Sequence, residues 1–158
     1  MKGTKALPNC AENSMELREI TINRLRRARR VVIKVGTSLV TGDDGAAATK
    51  RLNAIVESIA SLRKEDRQVV LVSSGAIGLG RARLGLSKAR LRDVVMRQAC
   101  AAVGQSLLMT VYENLFAPHD VRIAQVLLTE DDFAVRQRYS NLRRAMEKLL
   151  KLGVVPIV

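Results

Sequence analysis

The chain has 158 residues, 47% of them hydrophobic and 27% charged, which corresponds to about one globular domain and argues against intrinsic disorder. Two cysteines in no CxxC spacing and a single histidine indicate neither a disulfide scaffold nor a zinc site, and they fit a reducing cytoplasm. No apolar run approaches the roughly 18 residues of a membrane helix, so no membrane partner is expected.

Strand and helix signals alternate along the chain. Residues 1–16 are expected to form a flexible leader, and residues 17–29 predict a short basic helix. Four apolar runs, rich in β-branched residues, predict buried strands: Val31–Val35, Val69–Val72, Ile123–Leu128 and Val154–Val158. Helical spacing of apolar residues and helix-boundary signals predict four longer helices: 46–64, one from Gly75 or Ala76, Arg92 to about Ala117, and Thr129 to about Leu152.

This alternation predicts an α/β fold, a three-layer α/β/α sandwich with a mostly parallel sheet, because strands that are apolar throughout are covered on both faces. The sequence stops inside the fourth predicted strand, so we expect a fragment truncated after about four strands. As an unfinished edge strand, it would leave Val154, Val155 and Ile157 poorly covered.

The formal net charge of +12 favours anionic partners such as nucleic acid, acidic lipid or phosphorylated small molecules. The basic residues cluster over 18–30, 81–97 and 136–151, where solvated helix faces are the simpler interpretation. Two Tyr, two Phe and no Trp offer almost no platforms for stacking bases. Nucleic acid is therefore disfavoured as a partner.

The loops after the first two strands have the composition of a ligand site. In an open parallel sheet, ligands bind beyond the carboxyl ends of the strands. A helix that starts just after such a loop directs free amides and its positive dipole end at an anion. A serine helix cap followed by a tight turn is an equally open interpretation. Both loops are small, hydroxyl-rich and bear glycine: Gly36-Thr37-Ser38 and Ser73-Ser74-Gly75-Ala76.

Lys34 interrupts an apolar strand one residue before its end. A buried ammonium group is costly unless it is paired. One interpretation is an edge-strand lysine that blocks aggregation. The functional interpretation is a lysine whose charge offsets the negative charge that develops on a transferring phosphoryl group.

Several other features of the sequence do not indicate a ligand or metal site. The glycines of the segment 75–80 follow the order GxxGxG, the reverse of the dinucleotide-binding fingerprint, and no GxxxxGK[ST] motif is present. The acidic run 130–132 starts a predicted helix, where it serves the helix dipole more readily than a metal. His119 is expected in a surface loop and Cys100 in the core.

Five segments, in order and at matching spacing, resemble the signature segments of glutamate 5-kinases in the amino-acid kinase superfamily. The related kinases for aspartate, carbamate, acetylglutamate or UMP share the lysine strand but resemble the other segments less. The five segments extend over most of the chain: Val32–Thr41, Val70–Ile77, Gln98 with Ala101–Gln105, Ala124–Thr129 with Asp132, Arg138 and Tyr139, and Gly153–Ile157.

The resemblance implies ATP-dependent phosphorylation of the side-chain carboxylate of L-glutamate to L-glutamyl 5-phosphate, the first step of proline biosynthesis. Mg²⁺ would be bound mainly through ATP, and the full-length protein would be a homo-oligomer. Residues 17–158 would form the N-terminal, acceptor-side part of the kinase domain, without the C-terminal nucleotide-binding half. The source would be a glutamate 5-kinase or the kinase half of a bifunctional pyrroline-5-carboxylate synthase.

The resemblance also implies roles for individual residues. Lys34 is carried over as the residue that contacts the ATP phosphates and the transferring group. The other residues carried over for the phosphate loop are Gly36 and Thr37. The residues carried over for glutamate are Ser74, Gly75, Ala76 and Asn141.

One segment departs from the family pattern. Where the family reads Asn-Ala-Arg-Asp-Thr or Asn-Ala-Arg-Asn-Thr, this chain has Asn141-Leu142-Arg143-Arg144-Ala145. Arg144 cannot accept a hydrogen bond from a substrate ammonium group. Either glutamate binds differently, another group compensates, or the fit for glutamate is lost.

A second hypothesis belongs to another class: a non-catalytic α/β module that binds anionic metabolites or nucleic acid. A gel-shift assay across salt concentrations separates the two, because tight and steeply salt-dependent binding to DNA or RNA is expected only of the module.

Overall fold

The computed structural model describes residue 19, residues 21–41 and residues 45–158, the side chains of 45–48 excepted. Within this part of the chain, strands alternate with helices as predicted. The strands are β1 (Arg30–Val35), β2 (Gln68–Ser73), β3 (Ile123–Gln125) and β4 (Val155–Ile157). The helices are α1 (21–27), α2 (Thr37–Thr41), α3 (Gly45–Lys64), α4 (Ala76–Arg83), α5 (Val94–Phe116), α6 (Asp131–Ala134) and α7 (Arg136–Lys151), with 3₁₀ turns at Lys88–Arg92 and Ala117–His119.

The four strands form one parallel sheet in the order β1-β2-β4-β3. All carboxyl ends therefore lie at the same edge, where Val35 is paired with Ser73 and the Val158 carbonyl accepts a hydrogen bond from the Ser73 amide at 2.8 Å. The expectation that the fourth strand is a poorly covered edge is wrong. β4 lies between β2 and β3, with Val155 fully buried and Ile157 only 3% exposed.

Helices cover both faces of the sheet, which confirms the three-layer α/β/α fold. One face carries the main core, in which α3 and α5 pack against β1, β2 and β4. The chain reverses direction across the sheet between β3 and β4, and right-handed crossovers then place the connecting helix on the opposite face. That helix is α7, which packs on β4 and β2 and buries Leu150.

The face covered by α7 is open over β1. Val32 is in register with the buried Val70 and thus points to the same face, yet its side chain is 65% exposed. Lys34, two residues further along, is exposed as well. The prediction of a strand buried along its whole length is therefore wrong for β1, because β1 lies at the edge of the described sheet, beyond the strands that α7 packs on.

Helices α4 and α5 touch through glycines. A Cβ atom added at Gly80 would lie 1.8 Å from the carbonyl oxygen of Cys100, and one added at Gly104 would lie 1.7 Å from that of Ala76. The backbones of the two helices approach too closely for any side chain at these positions. Cys100 is fully buried in this contact, as predicted for a core residue.

Helix α5, with the turn that follows it, is long and apolar enough to cross a membrane, judged by length and composition alone. Helix α5 meets this criterion through its mean hydropathy, because its sequence is broken by Arg97 and Glu113 and contains no unbroken apolar run of about 18 residues. The core helix of a soluble protein meets it equally, and α5 contributes Leu108, Tyr112 and Phe116 to the core against the sheet.

Three predicted boundaries differ from those observed. A short helix, α2, follows β1 directly where a loop was expected. β3 ends at Gln125, and the exposed Leu127 lies beyond it. The helix predicted from Thr129 is two helices, because Val135 is extended and separates α6 from α7. The predicted leader 1–16 lies outside the described residues, and so do residues 42–44.

Candidate active site

The loops after β1 and β2 meet at the carboxyl edge of the sheet. The amide and the hydroxyl of Ser74 both donate hydrogen bonds to the Val35 carbonyl oxygen, each at 3.2 Å. The Thr37 hydroxyl donates in turn to the Ser74 hydroxyl oxygen at 3.1 Å. The two predicted site residues, 37 positions apart, are thus brought into direct contact, and we call them the Thr37–Ser74 pair.

The hydrogen bonds of this pair determine what Ser74 can offer a ligand. Its hydroxyl proton is directed to the Val35 carbonyl, and one lone pair receives the proton of Thr37. A hydroxyl oxygen has a second lone pair, so Ser74 can still accept one hydrogen bond. It can also donate to a carboxylate if it gives up the bond to Val35, whose carbonyl retains the Ser74 amide. Both Thr37 and Ser74 are exposed, so a ligand can reach them.

Gly75 adopts a conformation that favours glycine. Its φ of 118° lies in the left-handed region, and an added Cβ would lie 3.0 Å from the Cβ of Val40. Gly75 is the N-cap of α4, no described side chain caps this helix, and none of the described residues accepts a hydrogen bond from the Gly75 or Ala76 amide. Unpaired amides at a positive helix end suit an anionic group.

Lys34 and Gly36 complete the β1 side of this edge. Lys34 is the last residue but one of β1 and is exposed, so the cost of burying its charge does not arise. No carboxylate of the described chain lies within salt-bridge distance of it. Gly36 is surrounded by open space, with no atom within 4 Å of an added Cβ. The space beside Gly36 is thus open, and the Lys34 ammonium group has no carboxylate partner among the described residues.

A buried tyrosine lies behind the β2 loop, and the sequence reasoning did not single it out. The Tyr112 side chain is fully buried in α5, and its hydroxyl oxygen lies 2.7 Å from the Ser73 hydroxyl oxygen. Burial raises the pKa of Tyr112, and the hydrogen bond with Ser73 opposes this with a smaller effect. The phenol is therefore neutral at physiological pH. The signal in the sequence is one polar ring between Leu108 and Phe116 at steps of four.

Asn141 and Arg144 make no described contact with the Thr37–Ser74 pair. Both are exposed on α7, where Arg144 donates a hydrogen bond to the Asn141 side-chain oxygen at 2.6 Å. The other partner of that oxygen is Gln137, at 3.5 Å. Within the described part of the chain, their side-chain hydrogen bonds stay on α7, so this structure does not connect them to the β1 and β2 loops.

The acidic residues after β3 form hydrogen bonds and ion pairs with residues close to them in the sequence. The amide and hydroxyl of Thr129 both donate to one carboxylate oxygen of Asp132, at 2.7 and 2.8 Å, and these bonds hold the pKa of Asp132 below its usual value, with a smaller contribution from Arg138. Asp131 pairs with Arg138 at 3.2 Å. No group of three or more His, Cys, Asp or Glu side chains occurs in the part of the chain described here.

The comparison with known families defines the class of this chain. Residues 29–158 match the amino acid kinase family, and the chain belongs to that family.

Curated relatives carry a more specific name. A Burkholderia lata protein named glutamate 5-kinase is 51% identical over 131 residues, which are 83% of this chain and 35% of the relative. A Symbiobacterium thermophilum protein of the same name is 49% identical over 135 residues, which are 85% of this chain and 51% of the relative. The relative in Pelobacter propionicus has the same name, with 47% identity over 133 residues, 84% of this chain and 35% of the relative. The chain spans about a third to a half of the length of these relatives.

Proposed function

We propose that this chain is the acceptor-side part of a glutamate 5-kinase, which transfers the γ-phosphoryl group of ATP to the side-chain carboxylate of L-glutamate. The products are L-glutamyl 5-phosphate and ADP, in the first step of proline biosynthesis. The observation that carries the proposal is the Thr37–Ser74 pair beside the unpaired amides of Gly75 and Ala76, in a chain similar to proteins of that name.

The acceptor binds, on this proposal, at the carboxyl end of β2. The amides of Gly75 and Ala76 donate to a carboxylate of glutamate, where the positive end of α4 stabilises its charge. The Ser74 hydroxyl adds a contact through its free lone pair or by releasing the Val35 carbonyl. Asn141, and Arg144 in place of the acidic or amide residue of the family pattern, form the other side of this acceptor site.

The donor phosphates lie at the carboxyl end of β1. One carboxylate oxygen of glutamate attacks the γ-phosphorus of ATP, the bond from phosphorus to the bridging oxygen breaks, and ADP leaves with that oxygen. The acceptor is already an anion, so this step needs no base or nucleophile from the protein. The contribution of the chain is to position the reactants and offset charge, which Lys34, Gly36 and Thr37 do at the transferring phosphoryl group.

Mg²⁺ is expected to arrive bound to the ATP phosphates, because the described residues contain no cluster of carboxylates to hold it. Further parts of the proposal are a cytoplasmic location, a homo-oligomeric full-length protein, and a remaining part of the kinase domain that supplies the adenine pocket.

A chimera tests the proposal. Residues 29–158 replace the matching segment of the Symbiobacterium thermophilum relative, and ADP release is coupled to glutamate, with aspartate as the competing acid and the unmodified relative as positive control. We expect glutamate-dependent ADP release by the chimera and none by the 158-residue chain alone, since the chain presents one phosphate lysine and one part of the acceptor site.

Two results would contradict the proposal. A folded chimera without glutamate-dependent turnover would remove the assigned function. If Arg144→Asp restored glutamate-dependent turnover to such an inactive chimera, glutamate would not be the substrate of the parent chain. Arg144 would then be the residue that prevents glutamate from binding.

A further inference from the structure

The Thr37–Ser74 pair is supported from below by a second hydrogen-bonded contact, which joins helix α5 to the end of β2. The Tyr112 hydroxyl lies 2.7 Å from the Ser73 hydroxyl oxygen, and the Ser73 hydroxyl lies 3.4 Å from the Ser74 carbonyl oxygen, to which it donates. If Tyr112 donates to Ser73 and Ser73 to Ser74, each of the two protons has an acceptor. The three groups then form one chain from the core to the loop.

The Tyr112 ring cannot easily move. It is fully buried, and its centroid lies 6.3 Å from that of Phe116, which is only 1% exposed. The Ser73 amide is also fixed, because it donates to the carbonyl of Val158, the residue that follows β4. Tyr112 therefore presents a hydrogen-bonding group at a defined position beneath the loop.

The geometry of the peptide unit carries this constraint to the ligand side. The carbonyl of Ser74 and the amide of Gly75 belong to one planar unit and point in opposite directions. A hydrogen bond that orients this carbonyl therefore orients the amide too. The Gly75 amide is one of the donors that no described residue uses, and glycine itself provides little backbone restraint.

We propose that Tyr112 is a positioning residue, which acts through Ser73 to hold the Gly75 amide in the orientation that binds the acceptor carboxylate. This rests on the proposed function for the identity of the acceptor. A tyrosine that only filled the core would stabilise the fold as a whole, whereas a positioning residue affects the acceptor side selectively.

The first test uses the 158-residue chain and needs no substrate. Backbone ¹⁵N relaxation is measured at Gly75 in the parent and in Tyr112→Phe, which keeps the ring and removes the hydroxyl. We expect the order parameter of the Gly75 amide to fall from about 0.85, typical of rigid backbone, to below about 0.6. Thr110→Val is the matched control, because it removes a hydroxyl from the same helix that bonds only to the Ser106 carbonyl, at 2.9 Å.

The second test uses the chimera. Tyr112→Phe should raise the KM for glutamate about three- to tenfold, the usual effect of one hydrogen bond, and leave the KM for ATP within about twofold. Ser73→Ala should do the same, and Ser73→Thr, which keeps a hydroxyl, should restore the parent value. The double variant Ser73→Ala with Tyr112→Phe should be no worse than Ser73→Ala alone, because the two residues act through one contact.

The outcomes separate the inference from the function on which it rests. An inactive parent chimera contradicts the proposed function. The relaxation data at Gly75 then still show whether Tyr112 orients the Gly75 amide. An unchanged order parameter at Gly75, equal rises in both KM values, or additive effects in the double variant would each overturn the positioning role. Thermal unfolding of each variant identifies any loss of folding, and Ser73→Ala, at the end of β2, serves if Tyr112→Phe does not fold.

Discussion

The loops after β1 and β2 and the α6–α7 segment were all expected to contribute to the active site, but the two loops are supported very differently from the α6–α7 segment. The first region is connected to the core by Thr37, Ser74 and the buried Tyr112, and by the close contact of α4 with α5. In the second region, Asn141 and Arg144 are exposed and bond to each other. We infer that the loops after β1 and β2 are preformed by contacts with the core, whereas Asn141 and Arg144 are held only by contacts within α7.

The largest expected effect belongs to Lys34. Lys34→Ala in the chimera should lower kcat by about 10²–10³, the usual cost of losing a charge contact made in the transition state, with little change in the KM for glutamate. Folding should be unaffected, because the side chain is exposed. Lys64→Ala, an exposed lysine in the last turn of α3, is the control for the loss of one positive charge. Equal kcat values in Lys34→Ala and the parent would remove Lys34 from the mechanism.

The next effect concerns the contact that supports the first region. Gly104→Ala places a Cβ where the Ala76 carbonyl oxygen is 1.7 Å away, so α4 and α5 must separate. We expect a loss of about 1–3 kcal/mol in the free energy of unfolding, measured by urea denaturation. Gly36→Ala is the control, since a Cβ there meets open space. Equal stabilities of the two variants would show that the helix contact is looser than described.

A smaller effect is expected in the second region. Arg144→Asp in the chimera should lower the KM for glutamate about two- to fivefold, because it restores an acceptor for the substrate ammonium group at an exposed position. Arg143→Asp makes the same change of charge one residue earlier, where the arginine bonds to Glu147 instead. An unchanged or raised KM in Arg144→Asp, or an equal fall in both variants, would mean that the alignment or the role of Arg144 is wrong.

The smallest effect is a dependence on pH. The hydrogen bonds from Thr129 lower the pKa of Asp132 in the folded chain, so their stabilisation is complete above its ordinary pKa of 3.8 and is lost as the pH falls through the lowered value. Below about pH 4, the parent should thus lose stability more steeply than Asp132→Asn. Thermal unfolding between pH 2 and 6 measures this, with Glu130→Gln as the control. Identical slopes would contradict the local role of Asp132.

Much of the fold can be predicted from the sequence, because strands and helices produce patterns of apolar residues that are visible among neighbouring positions. The four strands, the long helix α5 and the meeting of the loops near Thr37 and Ser74 follow from such patterns and from the rule for parallel sheets. Strand order does not follow, since parallel strands have the same apolar pattern wherever they lie. The sequence therefore could not show that β4 is internal and that β1 leaves Lys34 exposed.

The candidate site divides in the same way. Residues at strand ends could be found because their positions are defined by the sheet edge. The partnership of Tyr112 with Ser73 joins positions 39 residues apart and depends on how α5 packs on the sheet, and the break at Val135 depends on a single extended residue. Neither the contact between Tyr112 and Ser73 nor the helix break at Val135 produces a recognisable pattern in the surrounding sequence.

On the proposed function, the acceptor carboxylate binds where the Thr37–Ser74 pair meets the start of α4. The most direct measurement is an amide chemical-shift titration of the ¹⁵N-labelled 158-residue chain with L-glutamate, with L-glutamine, which lacks the side-chain carboxylate, as the control. We expect the shifts induced by glutamate to concentrate at residues 37 and 74–76, and glutamine to produce much smaller shifts there. Equal shifts with both ligands, or shifts confined to other surfaces, would contradict this expectation.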